Sequence, residues 1–341
     1  MGHGDRLAFD AYLVYEAGVG RALESHRGDA AIDEHEVIRR ISALLPPAPP
    51  EVLVSVGDDC AVVEIGDTIW VAASDMLTHG HHFKDWAAPE DVGYKAVAVN
   101  VSDVAAMGGT PRFVLTSGGA PDPQTALRCF EGVMEACQRF GVYPLGGDTT
   151  RADALTVDVA ILGELATKPV LRSGARPGDL LAVTGELGAG AAGLLALEHE
   201  ATRYERLIRK YLRPEPRTAA GRAAAGLGAS AMMDLSDGLA SDVRRVCESS
   251  GVGCDVDLNL LPVETDTRQL AQSLGHDPSI LAATGGEDYE LLISAPEQIL
   301  DALADSIDVP LTTIGEVTPG EVAFRRGEEP VDGLAGWDHF A

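Results

Sequence analysis

Lysine is scarce in this 341-residue chain: Lys84, Lys95, Lys168 and Lys210 are the only ones, and 26 basic residues face 53 acidic ones for a formal charge of −27. A field of that sign repels nucleic acid and anionic lipid, and no basic run interrupts it, so neither is an expected partner. The excess of acid has the character of a surface adapted to high salt. Cysteine is also sparse. Cys60, Cys129, Cys137, Cys247 and Cys254 are odd in number and include no C-x-x-C pair, which points to small core residues in a reducing cytosol rather than to a disulfide or zinc framework. No apolar stretch approaches the roughly 18 to 20 residues that span a bilayer, and no basic-then-apolar leader opens the chain. A soluble, cytoplasmic protein is expected. The Walker A pattern G-x-x-x-x-G-K-[ST] is missing as well, so any use of ATP is not of the P-loop kind.

The segments that are present alternate between strand and helix signals. Residues 1–31 carry no usable motif and are expected to form an N-terminal extension; "IDEHEVIRRISALL" is the first clear helix. Beyond the break at Pro46-Pro-Ala-Pro-Pro50, strand-like runs follow in "VLVSVGDDCAVVEI" and "TIWVAASDMLTHGHHF". "PEDVGYKAVAVNVSDVAAMGG" opens on proline and acids and closes on Gly-Gly, which predicts a helix despite its valines. A strand in "PRFVLTSGG", a helix near 123–140 and a strand in "LTVDVAILGEL" complete a first unit. "TKPVLRSGARPGDLL", rich in proline, glycine and arginine, is the best boundary, giving domains 32–165 and 166–341. The second unit mixes strands and helices without a strict β-α-β rhythm. The expected class is α+β, with two mixed domains.

Most acids of so charged a chain are solvated, but seven are set in apolar and glycine sequence: Asp58, Asp59, Asp75, Asp103, Asp148, Asp234 and Asp237. Were they to converge, like charges about 4 Å apart would repel by roughly 4 kcal/mol per pair at an effective dielectric near 20. A cation must then compensate. Oxygen ligands without histidine or cysteine suit Mg²⁺, Mn²⁺ or Ca²⁺, and Mg²⁺ characteristically completes its shell with substrate phosphate. Gly146-Gly147 before Asp148 and Gly285-Gly286 before Glu287 would let backbone approach that phosphate. Two other motifs carry less. Gly188-Ala-Gly-Ala-Ala-Gly193 matches G-x-G-x-x-G, but the following "YERLIRKYLRPEPR" does not supply the β-α-β context of a dinucleotide fold, and tight helix packing explains its small residues. The histidines of "HGHHF" have no second His or Cys cluster, so a single substrate contact is the better reading than a transition-metal site.

Taken together, "VGDDCAVV", "SDMLTHGHHF", "YKAVAVNVSDVAAMGG", "GGDTTRAD", "LRSGARPGDLLAVTG", "MDLSDGLASD", "GGEDYELLIS" and the terminal "GWDHF" resemble, in order and spacing, the thiamine-monophosphate kinase family over residues 32–341. The wider superfamily of two-domain ATP users includes aminoimidazole-ribonucleotide synthetase and selenophosphate synthetase. The resemblance implies their fold, and it implies ATP-dependent phosphorylation of thiamine monophosphate to thiamine diphosphate with several Mg²⁺ ions. It carries metal binding to Asp59, Ser74, Asp75, Asp103, Asp148, Asp234 and Asp237, nucleotide contacts to Gly147, Asp148, Arg172 and Ser236, and substrate contacts to His82, Glu287 and Trp337. Ala73 stands where some relatives have a serine metal contact. No residue is implied as a general base, because a phosphate monoester is already anionic; the work is charge screening and in-line alignment, with Arg172 as a fixed positive charge. Glu287 is expected to meet a cationic substrate with an uncompensated charge. Asp242, one turn along the helix from Asp237, is expected to be solvated. A homodimer pairing the N-terminal sheets is also implied. Two alternatives stay open: another ATP-dependent enzyme of the superfamily, and a non-catalytic cation-binding protein.

Overall fold

A computed structural model describes residues 34–337; the extension expected over 1–31 lies outside the described residues. Two compact units are distinguished, one around the helix α1 (Glu34–Leu44) and one running from Leu53 to Trp337. Within α1, Glu36 pairs with Arg39 and Arg40 at the i,i+3 and i,i+4 spacings that bring helical side chains together.

The larger unit is built on two sheets. The first holds β1 (Val52–Val54), β2 (Ala61–Ile65), β3 (Thr68–Thr78), β4 (Thr110–Ala120), β5 (Tyr143–Arg151) and β6 (Thr156–Leu165), in the order β1-β2-β3-β6-β4-β5. Its helices are α2 (Pro89–Ala106) and α3 (Pro123–Phe140). Alternation in β6 is strict: Val157, Val159 and Ile161 are buried against the helices, and the intervening side chains face the other way. Pro123 opens α3 behind Asp122, whose carboxylate accepts from the N–H groups of Gln124 and Thr125; Gly141 closes it in the left-handed conformation.

Helix α2 is the axis of the unit. It is buried almost all round, from Val92 to Ala106 with Asp103 the exception, and packs on α3, β3, β4 and β6. Valine-rich sequence forms a helix here because burial of every face outweighs its weak intrinsic preference for strand. The second sheet runs β13-β12-β9-β11-β7-β10-β8, from β7 (Leu180–Thr184), β8 (Ala231–Asp234), β9 (Gly253–Asp257), β10 (Leu291–Ala295), β11 (Leu311–Thr318), β12 (Val322–Arg326) and β13 (Glu329–Pro330). Helices α4 (Ala189–Glu198), α5 (Glu205–Leu212), α6 (Thr218–Leu227), α7 (Leu239–Ser250), α8 (Thr265–Ser273), α9 (Pro278–Thr284) and α10 (Glu297–Ser306) accompany it. Edge strand β8 and helix α6 meet α2, so the last residue of β8, Asp234, is delivered to the side of that helix. The five cysteines are buried and form no disulfide. Among the described residues no helix is long and apolar enough to cross a membrane.

Candidate active site

Three chain segments bring acids together beside α2. Asp59 follows a loop before β2, Asp103 projects from the last turns of α2, and Asp234 ends β8. One carboxylate oxygen of each lies within 4.8 Å of the others. Ser102 Oγ donates to Asp234 Oδ2 at 2.6 Å, tying helix to strand in the interior. Burial, reinforced by the Asp59 charge, pushes the Asp234 carboxyl up to about 8, and burial with the charges of Asp75 and Asp234 raises Asp103 well above the usual carboxylate range. Arg172 supplies a counter-charge: its Nη2 donates to Asp59 Oδ1 at 2.6 Å, while its backbone N–H donates to the Asp58 carboxylate. Asp58 itself is raised to about 6, by burial first and the neighbouring Asp59 second.

One arginine does not satisfy the cluster. Asp59 Oδ2 is buried without a hydrogen-bond partner, as are Asn100 Oδ1 and Thr116 Oγ1. An orphaned Asp59 oxygen within a group of three close carboxylates fits a hard cation far better than it fits an empty interior.

The remaining expected site residues divide by sheet register. Asp75, Val159, Thr116 and Gly147 form one row across β3, β6, β4 and β5, on the face that packs against α2. Gly147 approaches the Thr116 backbone so closely that any Cβ there would collide with its carbonyl. Asp148 belongs to the next row, with Ser117, Asp158 and Met76, and therefore to the opposite face. Ser74 shares that face and donates to Asp158 Oδ1 at 2.8 Å. Ser74 and Asp148 thus lie outside the cluster in the isolated chain. Asp237 is held by Arg245 at 2.6 Å, and Ser236 accepts the Glu287 N–H through its carbonyl.

Two expectations are corrected. Asp242 is not solvated: it is fully buried, accepts from the Gly238 N–H at 3.1 Å and pairs with Arg245 at 3.0 Å. Its place on the first turn of α7 faces the interior, where Arg245, three residues on, compensates it. Glu287 is not uncompensated either, since its Oε2 is in contact with Lys95 Nζ.

A second cluster surrounds that pair. His82 precedes α2, and its carbonyl accepts from Tyr211 Oη at 2.8 Å; Thr78 N–H donates to its Nδ1, which places the proton of the neutral ring on Nε2. Lys95 Nζ sits 3.7 Å from the centre of the Tyr211 ring, and Trp86 meets the same ring edge-on at 5.7 Å. Glu287 and Tyr289 both have left-handed backbone, at φ 72° and 51°, a strained choice for residues with side chains. Between them Asp288 accepts from the N–H groups of Gly188 and Gly190 at 2.6 and 2.9 Å, capping α4. Trp337 is exposed, its N–H donating to the Asp237 carbonyl. Lys95, Trp86 and Tyr211 were missed in sequence: lysine among valines and lone aromatics announce nothing until the fold places them.

Family models agree with this architecture. Residues 57–165 match the AIR synthase related protein, N-terminal domain, and residues 176–326 its C-terminal domain. Thiamine-monophosphate kinase of Mycobacterium tuberculosis is 37% identical over 298 residues, covering 86% of this chain and 87% of that protein. Its Escherichia coli K12 counterpart is 37% identical over 327 residues, 91% of this chain and 99% of that protein. The chain belongs to the thiamine-monophosphate kinase family. Among solved structures, AaThiL complexed with AMPPCP and TMP superposes with a TM-score of 0.81 at 33% identity, covering 90% of this chain and 97% of that one. Hydrogenase maturation protein HypE, at 19% identity and a TM-score of 0.63, shares the fold.

Proposed function

We propose that the protein transfers the γ-phosphoryl group of ATP to thiamine monophosphate, giving thiamine diphosphate. The observation that carries this is the close group of Asp59, Asp103 and Asp234 in a chain 37% identical to named thiamine-monophosphate kinases over most of its length. Asp59, Asp103 and Asp234, with Asp75 on the same side of the first sheet, would hold Mg²⁺. Bound there, the metal supplies charge neutralisation for the phosphates of both substrates. Gly147 would contact the nucleotide through its backbone, and Arg172 keeps a positive charge fixed at the edge of the acids, aligned by Asp58 and Asp59. His82, Glu287 and Trp337 form the acceptor side of this reading. No side chain is required to remove a proton, because the attacking phosphate oxygen is already anionic. Asp237 is a further metal ligand in the same proposal, as are Asp148 and Ser74, which lie on the sheet face opposite the cluster and so would not share its cation; the chain is taken as an extension over 1–31 and domains 32–165 and 166–341.

A homodimer and a cytoplasmic, salt-adapted setting belong to the reading too. The outer face of the first sheet exposes Met76, Leu115 and Tyr143, an apolar surface of the sort a second copy would cover. Sedimentation of the purified protein tests this, with a dimer expected. The activity is tested by incubation with ATP, Mg²⁺ and thiamine monophosphate in strong KCl. Thiamine diphosphate and ADP should accumulate in equal amounts; ATP turnover that requires a different acceptor would overturn the assignment.

A further inference from the structure

The geometry points to Lys95 as a positioning residue for acceptor recognition: clamped between the Tyr211 ring and Glu287, it fixes the Glu287 carboxylate and links it to the His82 segment. This inference rests on the proposed phosphorylation of thiamine monophosphate for the identity of the acceptor.

Lys95 is out of place by every local criterion. It is 3% exposed in a helix whose neighbours are valine, alanine and tyrosine. Removing an ammonium from water is costly, and methionine would fill the same channel without that cost. Desolvation lowers the Lys95 pKa, and contact with Glu287 opposes the shift. What the charge secures is visible in its contacts. Its Nζ lies over the Tyr211 ring at 3.7 Å and touches Glu287 Oε2, and Tyr211 Oη in turn holds the His82 carbonyl at 2.8 Å. Two of the three residues assigned to the acceptor, His82 through its carbonyl and Glu287 through its carboxylate, 205 positions apart by their numbers 82 and 287, are therefore connected through one buried cation and one aromatic ring.

The backbone of Glu287 is fixed independently. Left-handed φ at Glu287 and Tyr289 brackets Asp288, which is anchored on α4, and Gly190 passes so near that a Cβ would strike the Glu287 carbonyl. With the main chain locked, the remaining freedom lies in the side-chain torsions, and Lys95 removes it by engaging Oε2. Oε1 of a 24% exposed side chain is then presented in one direction. An acceptor donor group, such as an exocyclic amine, finds a carboxylate already oriented, which is how preorganised sites gain affinity.

A double-mutant cycle tests this. Lys95→Met should raise KM for thiamine monophosphate about tenfold or more, with KM for ATP and kcat changed by less than about threefold. In a Glu287→Gln background the same substitution should add almost nothing, because its effect passes through Glu287. Tyr211→Leu, which removes the ring beneath the ammonium and the hydrogen bond to the His82 carbonyl while keeping both charged side chains, should also raise KM for thiamine monophosphate selectively and serves if Lys95→Met does not fold. Equal rises in both KM values, multiplying effects in the double variant, or an unchanged acceptor KM would each overturn the role of Lys95. Wild-type protein that forms no thiamine diphosphate would instead overturn the underlying reading, and the inference with it.

Discussion

Two groups of acids, one at Asp103 of α2 and one reached by its Lys95, are treated in opposite ways. Asp59, Asp103 and Asp234 crowd their oxygens within 4.8 Å, share Arg172 as a counter-charge, and leave a buried oxygen of Asp59 without a partner. In "GGEDYE" each acid has a partner of its own: Lys95 for Glu287, the α4 N–H groups for Asp288, and Arg217, Lys210 and Thr184 for Glu290. Residue type is the same in both. The difference lies in whether the fold supplies the compensating charge, and it separates a site that awaits a cation from a frame that holds side chains still.

Breaking the frame should have the largest effect. Glu290 is fully buried, with Arg217 Nε at 2.6 Å and Thr184 Oγ1 at 2.8 Å. Glu290→Gln leaves Arg217 and Lys210 without their carboxylate, and removal of one partner from a buried ion pair costs about 3–5 kcal/mol. Urea denaturation should register that loss with and without Mg²⁺ and nucleotide alike. A loss below about 1 kcal/mol would mean that the network is solvated rather than structural.

Asp234→Asn should do the reverse. The metal-free variant should match the wild type in melting temperature near neutral pH, where the buried Asp234 carboxyl keeps its proton, and exceed it above about pH 8, where an ionised Asp234 would repel its neighbours. Its response to ligand is where it should fail: a site at a hundredfold excess over Kd stabilises by about 2.7 kcal/mol, and the variant should lose most of that gain. Full stabilisation of Asp234→Asn by Mg²⁺ and an ATP analogue would remove Asp234 from the metal site.

The sequence made the first group legible and the second only in part. Asp59, Asp103 and Asp234 stand out because acids in apolar sequence violate the polar pattern of surface residues, and the elements that carry them follow from hydrophobic periodicity and from proline and glycine stops. Asp148 stands out on the same ground and Ser74 only through the family resemblance, yet the faces of both depend on strand register, which flips with every residue and is set by pairing partners far away in the chain. Asp242 looked solvated because helix position alone does not reveal an arginine one turn on and a sheet behind it. Lys95 lies in a segment whose helix was clear, but its partners Tyr211 and Glu287 come from the second domain's sequence, and that meeting is tertiary.

The same contrast can be drawn as a dependence on pH. Asp234 is raised to about 8 by burial and by Asp59, and Asp103 is raised well above the usual range. In the unfolded chain both titrate near the ordinary aspartate value of about 3.9. Between these limits the metal-free native state keeps protons that the unfolded state has released, so stability falls as pH rises, by about 1.4 kcal/mol per pH unit for each group protonated only when folded. The decline should begin near pH 4, as the unfolded aspartates ionise, and the part due to Asp234 should level off as that group ionises near pH 8. Asp288, pushed up to about 7 chiefly by burial, adds a decline of the same sign, as does buried Asp242. Asp288 lies outside the proposed metal set, so its part should persist when Mg²⁺ and nucleotide are added. The cluster's part should not, because a bound cation favours the ionised carboxylates and makes binding stronger as pH rises. Melts in EDTA and in saturating Mg²⁺ with an ATP analogue, at pH 5.5, 6.5 and 7.5 and fixed KCl, give the two curves, and their widening gap with pH is the titration of the cluster alone. Parallel curves would mean that the three aspartates do not exchange protons for metal, and the distinction between the two groups of acids would collapse.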